Sequence, residues 1–146
     1  MNIRITKEFR FEMAHALLGY EGPCKNIHGH SYQLSVTLKG IPVDRPGVSQ
    51  TGMVADFTDL KKIVHEEIVQ HFDHALVLNK DTPASVYAGL QEQKLILLDV
   101  QPTCENLVVY FVNKLKNVLP PALALHSLLL KETSTSSAAW YAEDNE

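Results

Sequence analysis

The residues best suited to chemistry gather in one stretch. Cys24-Lys25-Asn26-Ile27-His28-Gly29-His30, backed by His15, places one thiol and three imidazoles within sixteen residues. Three neutral histidines as the whole protein shell would leave a zinc ion an open fourth position, the arrangement of a catalytic rather than a structural site. Imidazole-only ligation suits zinc first, with iron, copper or nickel as alternatives. Cys24 can take either of two parts. It can close the shell as a fourth ligand, or stand beside the metal as a thiolate base aimed at a bound substrate. The plainer reading makes His28 and His30 polar residues at a strand end, His15 a chance neighbour and Cys24 a small half-buried residue. A bare His-x-His is common. It is the coincidence of His15 and Cys24 with it that favours a site.

Other candidates lie further along. Asp73-His74 sets a carboxylate beside an imidazole, which can fix the ring's tautomer and raise its basicity. Adjacent side chains rarely face each other, so a working pair needs a partner from elsewhere, and alone the dipeptide reads as a loop. Glu132 follows the apolar run Leu128-Leu129-Leu130 and is either at the solvent edge or the polar anchor of a pocket. The residues by themselves favour the edge. Cys104 reads as packing, and His65, His71 and His126 as structural or surface.

The elements that must position these groups follow from periodicity. Ile3, Ile5, Phe9, Phe11 and Met13 share one parity, which predicts a half-buried strand over 3–13, with His15 keeping that parity. His28, His30, Tyr32, Leu34, Val36 and Leu38 share one face of a second strand, so the histidines continue its apolar face. Gly52 to Ala55 is a possible short strand. Asp56 is an N-cap for a helix running to about Phe72, with Phe57, Leu60, Val64, Ile68 and Phe72 as its stripe. Residues 73–79 leave that helix, and Thr82-Pro83 begins a short helical turn. Leu95 to Val100 reads as a strand buried on both faces or central. Thr103 caps a second helix over 104–118, stopped by Pro120-Pro121. A long strand over 123–133 follows, and 138–142 can add a short one. The order β-β-α-β-α-β, with long strands at both ends, predicts an α+β fold.

Composition narrows the classes. The 146 residues are 45% hydrophobic and 21% charged, which suits one domain spanning 1–146. The net charge of −4 and scattered basic residues give no footprint for nucleic acid. No apolar run approaches the length of a membrane helix, and the first residues lack the apolar core of a signal peptide, so a cytoplasmic protein is expected. The two cysteines are not expected to pair in a reducing cytosol.

Taken in order, the motifs resemble one family. Phe9-x-Phe11-x-x-Ala14-His15, Cys24-x-x-x-His28-Gly29-His30, Asp56-Phe57-x-x-Leu60-Lys61, Phe72-Asp73-His74, Pro102-Thr103-x-Glu105-Asn106-Leu107 and Lys131-Glu132-Thr133 resemble the 6-pyruvoyltetrahydropterin synthase / 6-carboxytetrahydropterin synthase family over roughly residues 3–141. The resemblance implies a tunnelling fold: a four-stranded antiparallel sheet carrying two helices, joined around a threefold axis into trimers, with two trimers stacked as a homohexamer. It implies zinc on His15, His28 and His30, Cys24 as general base, and Asp73 with His74 relaying protons. In such proteins the cysteine and the Asp-His pair can come from neighbouring subunits. It further implies that Glu132 grips the 2-amino and ring N–H edge of a pterin, with Glu105 and Thr103 in the same pocket.

The substrate implied is 7,8-dihydroneopterin triphosphate. Three residues rather than five separate Cys24 from His28, which is similar to the bacterial queuosine branch, the 6-carboxytetrahydropterin synthases that release triphosphate and acetaldehyde. The alternatives are a 6-pyruvoyltetrahydropterin synthase of biopterin synthesis, and a zinc- and pterin-binding module without turnover. Lys80 to Lys94 and Trp140 depart from the commoner family pattern and are expected to reshape the pocket mouth.

Overall fold

A computed structural model describes residues 1–145. Its spine is β1 (Ile3–His15) and β2 (His28–Gly40), antiparallel from Ile3 opposite Gly40 to His15 opposite His28. The alternation sorts the two faces as the sequence predicts. Phe11, Met13, Tyr32, Leu34, Val36 and Leu38 are buried on one side. On the other, hydroxyls and carboxylates pair across the strands, Thr6 with Thr37 at 2.8 Å and Ser31 donating to Glu12 at 2.7 Å. The register sets His15 beside His28 and Met13 beside His30, so one end of this pair gathers all three imidazoles.

The buried face carries two helices. The first runs Phe57–Val64, continues through a π-helical stretch, His65–Val69, and ends on Gln70–Phe72. Asp56 caps it, its Oδ1 accepting from the Thr58 N–H at 2.7 Å. Leu60, Val64, Ile68 and Phe72 are its buried stripe. That repeated spacing of four would swing Phe72 about 120° off the face of a regular α-helix. The wider π turn takes up the excess. Phe57, expected in the stripe, is instead about half exposed, lining a pocket with Ile3 and Ile5 of β1, with the Lys7 ammonium 5.9 Å from its ring.

The second helix, Cys104–Val118, begins as predicted at Thr103, whose hydroxyl accepts from the Asn106 N–H at 3.2 Å. Phe111 locks it to the rest of the core, with ring centroids 6.2 Å from Phe11 and 4.9 Å from Phe72, both edge-on.

The sheet has six strands, in the order β4-β3-β1-β2-β5-β6, with β3 at Ala75–Asn79, β4 at Leu95–Leu98, β5 at Ala124–Lys131 and β6 at Ser137–Tyr141. The expected four-stranded antiparallel sheet is the part β1-β2-β5-β6. The correction is on the other edge of β1, where β3 and then β4 add in parallel and make the sheet mixed. The chain order is therefore β-β-α-β-β-α-β-β. Strand β3 follows the helix with only Asp73 and His74 between, too short a break for periodicity to register. Strand β4, expected to be buried on both faces or central, is the edge strand, with Leu97 44% exposed. Gly52 to Ala55 is a turn and not a strand: Val43 donates to the Met53 carbonyl and accepts from the Gly52 N–H, closing a local loop. Among the described residues no helix is long and apolar enough to cross a membrane.

Candidate active site

Where β1 and β2 end together, His15, His28 and His30 bring one ring nitrogen each to within 4.8 Å of the others. Their orientation is fixed from behind. His15 Nδ1 lies 2.7 Å from the Pro102 carbonyl and His28 Nδ1 lies 2.7 Å from the Asn26 carbonyl. A carbonyl only accepts, so both Nδ1 atoms carry the proton and donate it. In neutral rings both Nε2 atoms then face inward as lone pairs, 3.1 Å apart. Burial, the largest influence on His15, lowers its pKa from the ordinary 6.5, so the ring stays neutral. Two unprotonated nitrogens at that distance repel unless a cation sits between them. Two nitrogens on a tetrahedral zinc at its usual bond length would stand about 3.3 Å apart. The donor set therefore fits a zinc ion, with backbone carbonyls behind the ligands as such sites require.

Glu132 closes the arrangement. It follows β5 directly, and its Oε1 lies 3.4 Å from His15 Nε2 and 3.7 Å from His30 Nε2. The Tyr32 hydroxyl donates to the same oxygen at 3.2 Å. Tyr32 is fully buried, and burial, helped by the Glu132 carboxylate, holds its pKa above the ordinary value, so it remains a donor. Sequence reasoning used Tyr32 only as a core residue. Its place on the same strand face two residues beyond His30 was the available signal. The carbonyls of Asn26 and Pro102 had none, since any residue supplies one.

A cleft of about 290 Å³ opens beside the cluster, lined by His15, Tyr20, Cys24, Thr103, Glu105 and Glu132. Cys24 sits in a single 3-10 turn, Pro23–Lys25, tied down by its carbonyl, which accepts from the Leu17 N–H at 2.9 Å. The predicted ligands, thiol and substrate-binding residues thus meet in one place. Cys104 packs as expected: its thiol is buried, donates to the Leu130 carbonyl at 3.3 Å and is pushed up to about 11 by that burial.

Asp73 and His74 are not in this cleft. They stand between the first helix and β3, and His74 borders a separate cavity of about 510 Å³ with Glu12, Ser31 and Lys94, which has His30 on its border. Contrary to the expectation for neighbours, the two do face each other, His74 Nδ1 lying 3.0 Å from Asp73 Oδ1. The left-handed backbone of His74, φ 61°, makes this possible. The Glu12 N–H, the largest influence, and then His74 hold the Asp73 carboxyl below its ordinary value.

The comparisons agree with this geometry. A family model for 6-pyruvoyl tetrahydropterin synthase matches residues 4–143. The chain is 36% identical to the 6-carboxy-5,6,7,8-tetrahydropterin synthase of Haemophilus influenzae over 137 residues, covering 91% of this chain and 94% of that one. It is 35% identical to the enzyme of the same name from a Synechocystis species, over 94% and 92% of the two chains. The architecture matches the structure of the Caenorhabditis elegans 6-pyruvoyl tetrahydropterin synthase with a TM-score of 0.70 and 23% identity, over 97% of this chain and 96% of that one. With the match running from β1 to beyond β6 and across every residue that lines the cleft, the chain belongs to the 6-pyruvoyl tetrahydropterin synthase family.

Proposed function

We propose that the chain is a zinc-dependent 6-carboxytetrahydropterin synthase, converting 7,8-dihydroneopterin triphosphate to 6-carboxytetrahydropterin with loss of triphosphate and acetaldehyde, as in the queuosine branch of the family. The observation that carries the reading is the convergence of three histidine nitrogens on one point beside a cleft that Cys24 and Glu132 also line. The names of the bacterial relatives support the choice of branch.

The roles follow from position. A zinc ion held by His15, His28 and His30 would supply Lewis acidity, polarising side-chain oxygens of the substrate and acidifying the adjacent C–H. Cys24, on the cleft wall, is the base that takes the carbon-bound proton. Glu132 accepts from the 2-amino and ring N–H groups of the pterin and so fixes its register, while Tyr32 fixes Glu132. Glu105 and Thr103 bound the same cleft. Asp73 and His74 pass protons to and from the site. Because His74 borders a different cavity of its own chain and neither residue lines the cleft, this role calls for a neighbouring subunit, as in a homohexamer built of two trimers.

Incubating the zinc-loaded protein with 7,8-dihydroneopterin triphosphate tests the reading. Triphosphate, acetaldehyde and 6-carboxytetrahydropterin are the expected products. A 6-pyruvoyl product would move the chain to the biopterin branch, and absence of triphosphate release would leave a binding module.

Glu132→Gln keeps the shape but replaces one acceptor oxygen with a donor. It is expected to raise KM by about 10- to 100-fold, the cost of one charged hydrogen-bond pair, with zinc content unchanged. Zinc loss in this variant would instead make Glu132 a ligand beside His15 and His30.

A further inference from the structure

The stretch Lys80 to Lys94 ends on a side chain that reaches back to Asp73 and His74. Lys94 Nζ donates to the carbonyl of Gln70 at 2.6 Å and to that of Asp73 at 2.7 Å. Gln70 lies in the last turn of the first helix, where carbonyls lack intrahelical partners and the dipole is negative. An ammonium there answers both needs. The backbone carbonyl of Lys94 accepts from the Leu76 N–H at 2.8 Å, one residue before β4 pairs with β3. Lys94 therefore joins β4 to the chain on both sides of the Asp73-His74 dipeptide.

Strand β1 grips the same dipeptide from its other side. The Glu12 N–H donates to Asp73 Oδ1 at 2.9 Å, and the Glu12 carbonyl accepts from the His74 N–H at 2.6 Å. Between these anchors His74 is held in the left-handed region, which a residue other than glycine keeps only when its surroundings impose it. Its side chain is 77% exposed and, among the described residues, meets only the Asp73 carboxylate, so the backbone, rather than packing, sets where the imidazole points.

We infer that Lys94 is a positioning residue for the Asp73–His74 pair, fixing the end of the first helix so that the imidazole is presented in one orientation. The inference rests on the reading of that pair as the proton relay. It assigns a task to the segment before β4: the segment carries an ammonium to the carbonyl end of the first helix.

The test compares triphosphate release by the zinc-loaded wild type, Lys94→Met, Lys94→Arg, His74→Ala and the double variant Lys94→Met/His74→Ala. Lys94→Met is expected to lower kcat about tenfold with KM changed less than about twofold, the signature of a misplaced catalytic group. Its zinc content stays that of the wild type, and exchange of the His74 amide hydrogen speeds up about tenfold as the grip loosens. Arginine, which can donate to two carbonyls at once, restores most of kcat. The double variant is no slower than His74→Ala, since the group that Lys94 positions is already gone. Wild-type kcat in Lys94→Met overturns the inference, as does a loss that multiplies with that of His74→Ala. Should Lys94→Met unfold, Lys94→Gln takes its place in the same comparison. If His74→Ala is slow and Lys94→Met is not, only the role of Lys94 falls. If His74→Ala turns over like the wild type, the relay reading falls and the role of Lys94 with it.

Discussion

Replacing His15 with alanine is expected to empty the metal site and stop turnover. His15 is the buried member of the cluster, it faces both His28 and Glu132, and its Nδ1 is locked on Pro102. Without it two imidazoles remain, fewer than the three protein ligands of a catalytic zinc site. Lewis-acid stabilisation is worth several kcal/mol, and about 1.4 kcal/mol is a factor of ten, so kcat is expected to fall at least about a thousandfold. Metal analysis after dialysis against a weak chelator, beside turnover, checks both halves. The variant also leaves the Pro102 carbonyl without its donor, at a cost of about 1–3 kcal/mol. His28→Ala, on a more exposed residue, is the companion that separates metal loss from unfolding. Full zinc content and wild-type turnover in either would remove that histidine from the metal shell.

Cys24→Ala is expected to separate the two effects, keeping the metal while losing rate. The thiol lines the cleft but is outside the histidine cluster, and its turn is held by a backbone bond that alanine leaves in place. Zinc content and melting temperature should therefore be those of the wild type, while kcat falls about 100- to 10,000-fold, the usual worth of a positioned base. Serine at the same position should rescue little, because a hydroxyl is a much weaker base than a thiolate at neutral pH. A variant that loses its zinc would make Cys24 the fourth ligand, the other of the two parts the sequence allows it.

What the sequence discloses is what repeats locally. The two-residue alternation located β1 and β2, and placed His28 and His30 on the core face of β2 beside the end of β1. Single polar residues before apolar runs located both helix starts, Asp56 and Thr103, since a cap acts within three residues of itself. Strand β3 escaped because its partner in β1 lies some sixty residues earlier and parallel pairing leaves no turn to read. The same distance problem hid the bond from Tyr32 to Glu132, 100 residues apart, and the reach of Lys94 to the helix end. The nature of the site was legible in side-chain types, but the carbonyls that orient its ligands were not, because the backbone is the same at every position.

The π-helical stretch of the first helix bears on how this chain tolerates changes of length. Between its cap at Asp56 and the dipeptide at its end, the helix holds more residues than a regular one covering the same turns. Shortening it by one residue between 65 and 69 would turn the π stretch into a regular helix and set Phe72 eleven residues from Leu60, only about 20° off its face. Phe72 would keep its place in the core, whereas one further residue would turn everything after it by about 100°. The stretch therefore lets this helix lose one residue of length without turning the dipeptide at its end, while a gain is not absorbed in the same way.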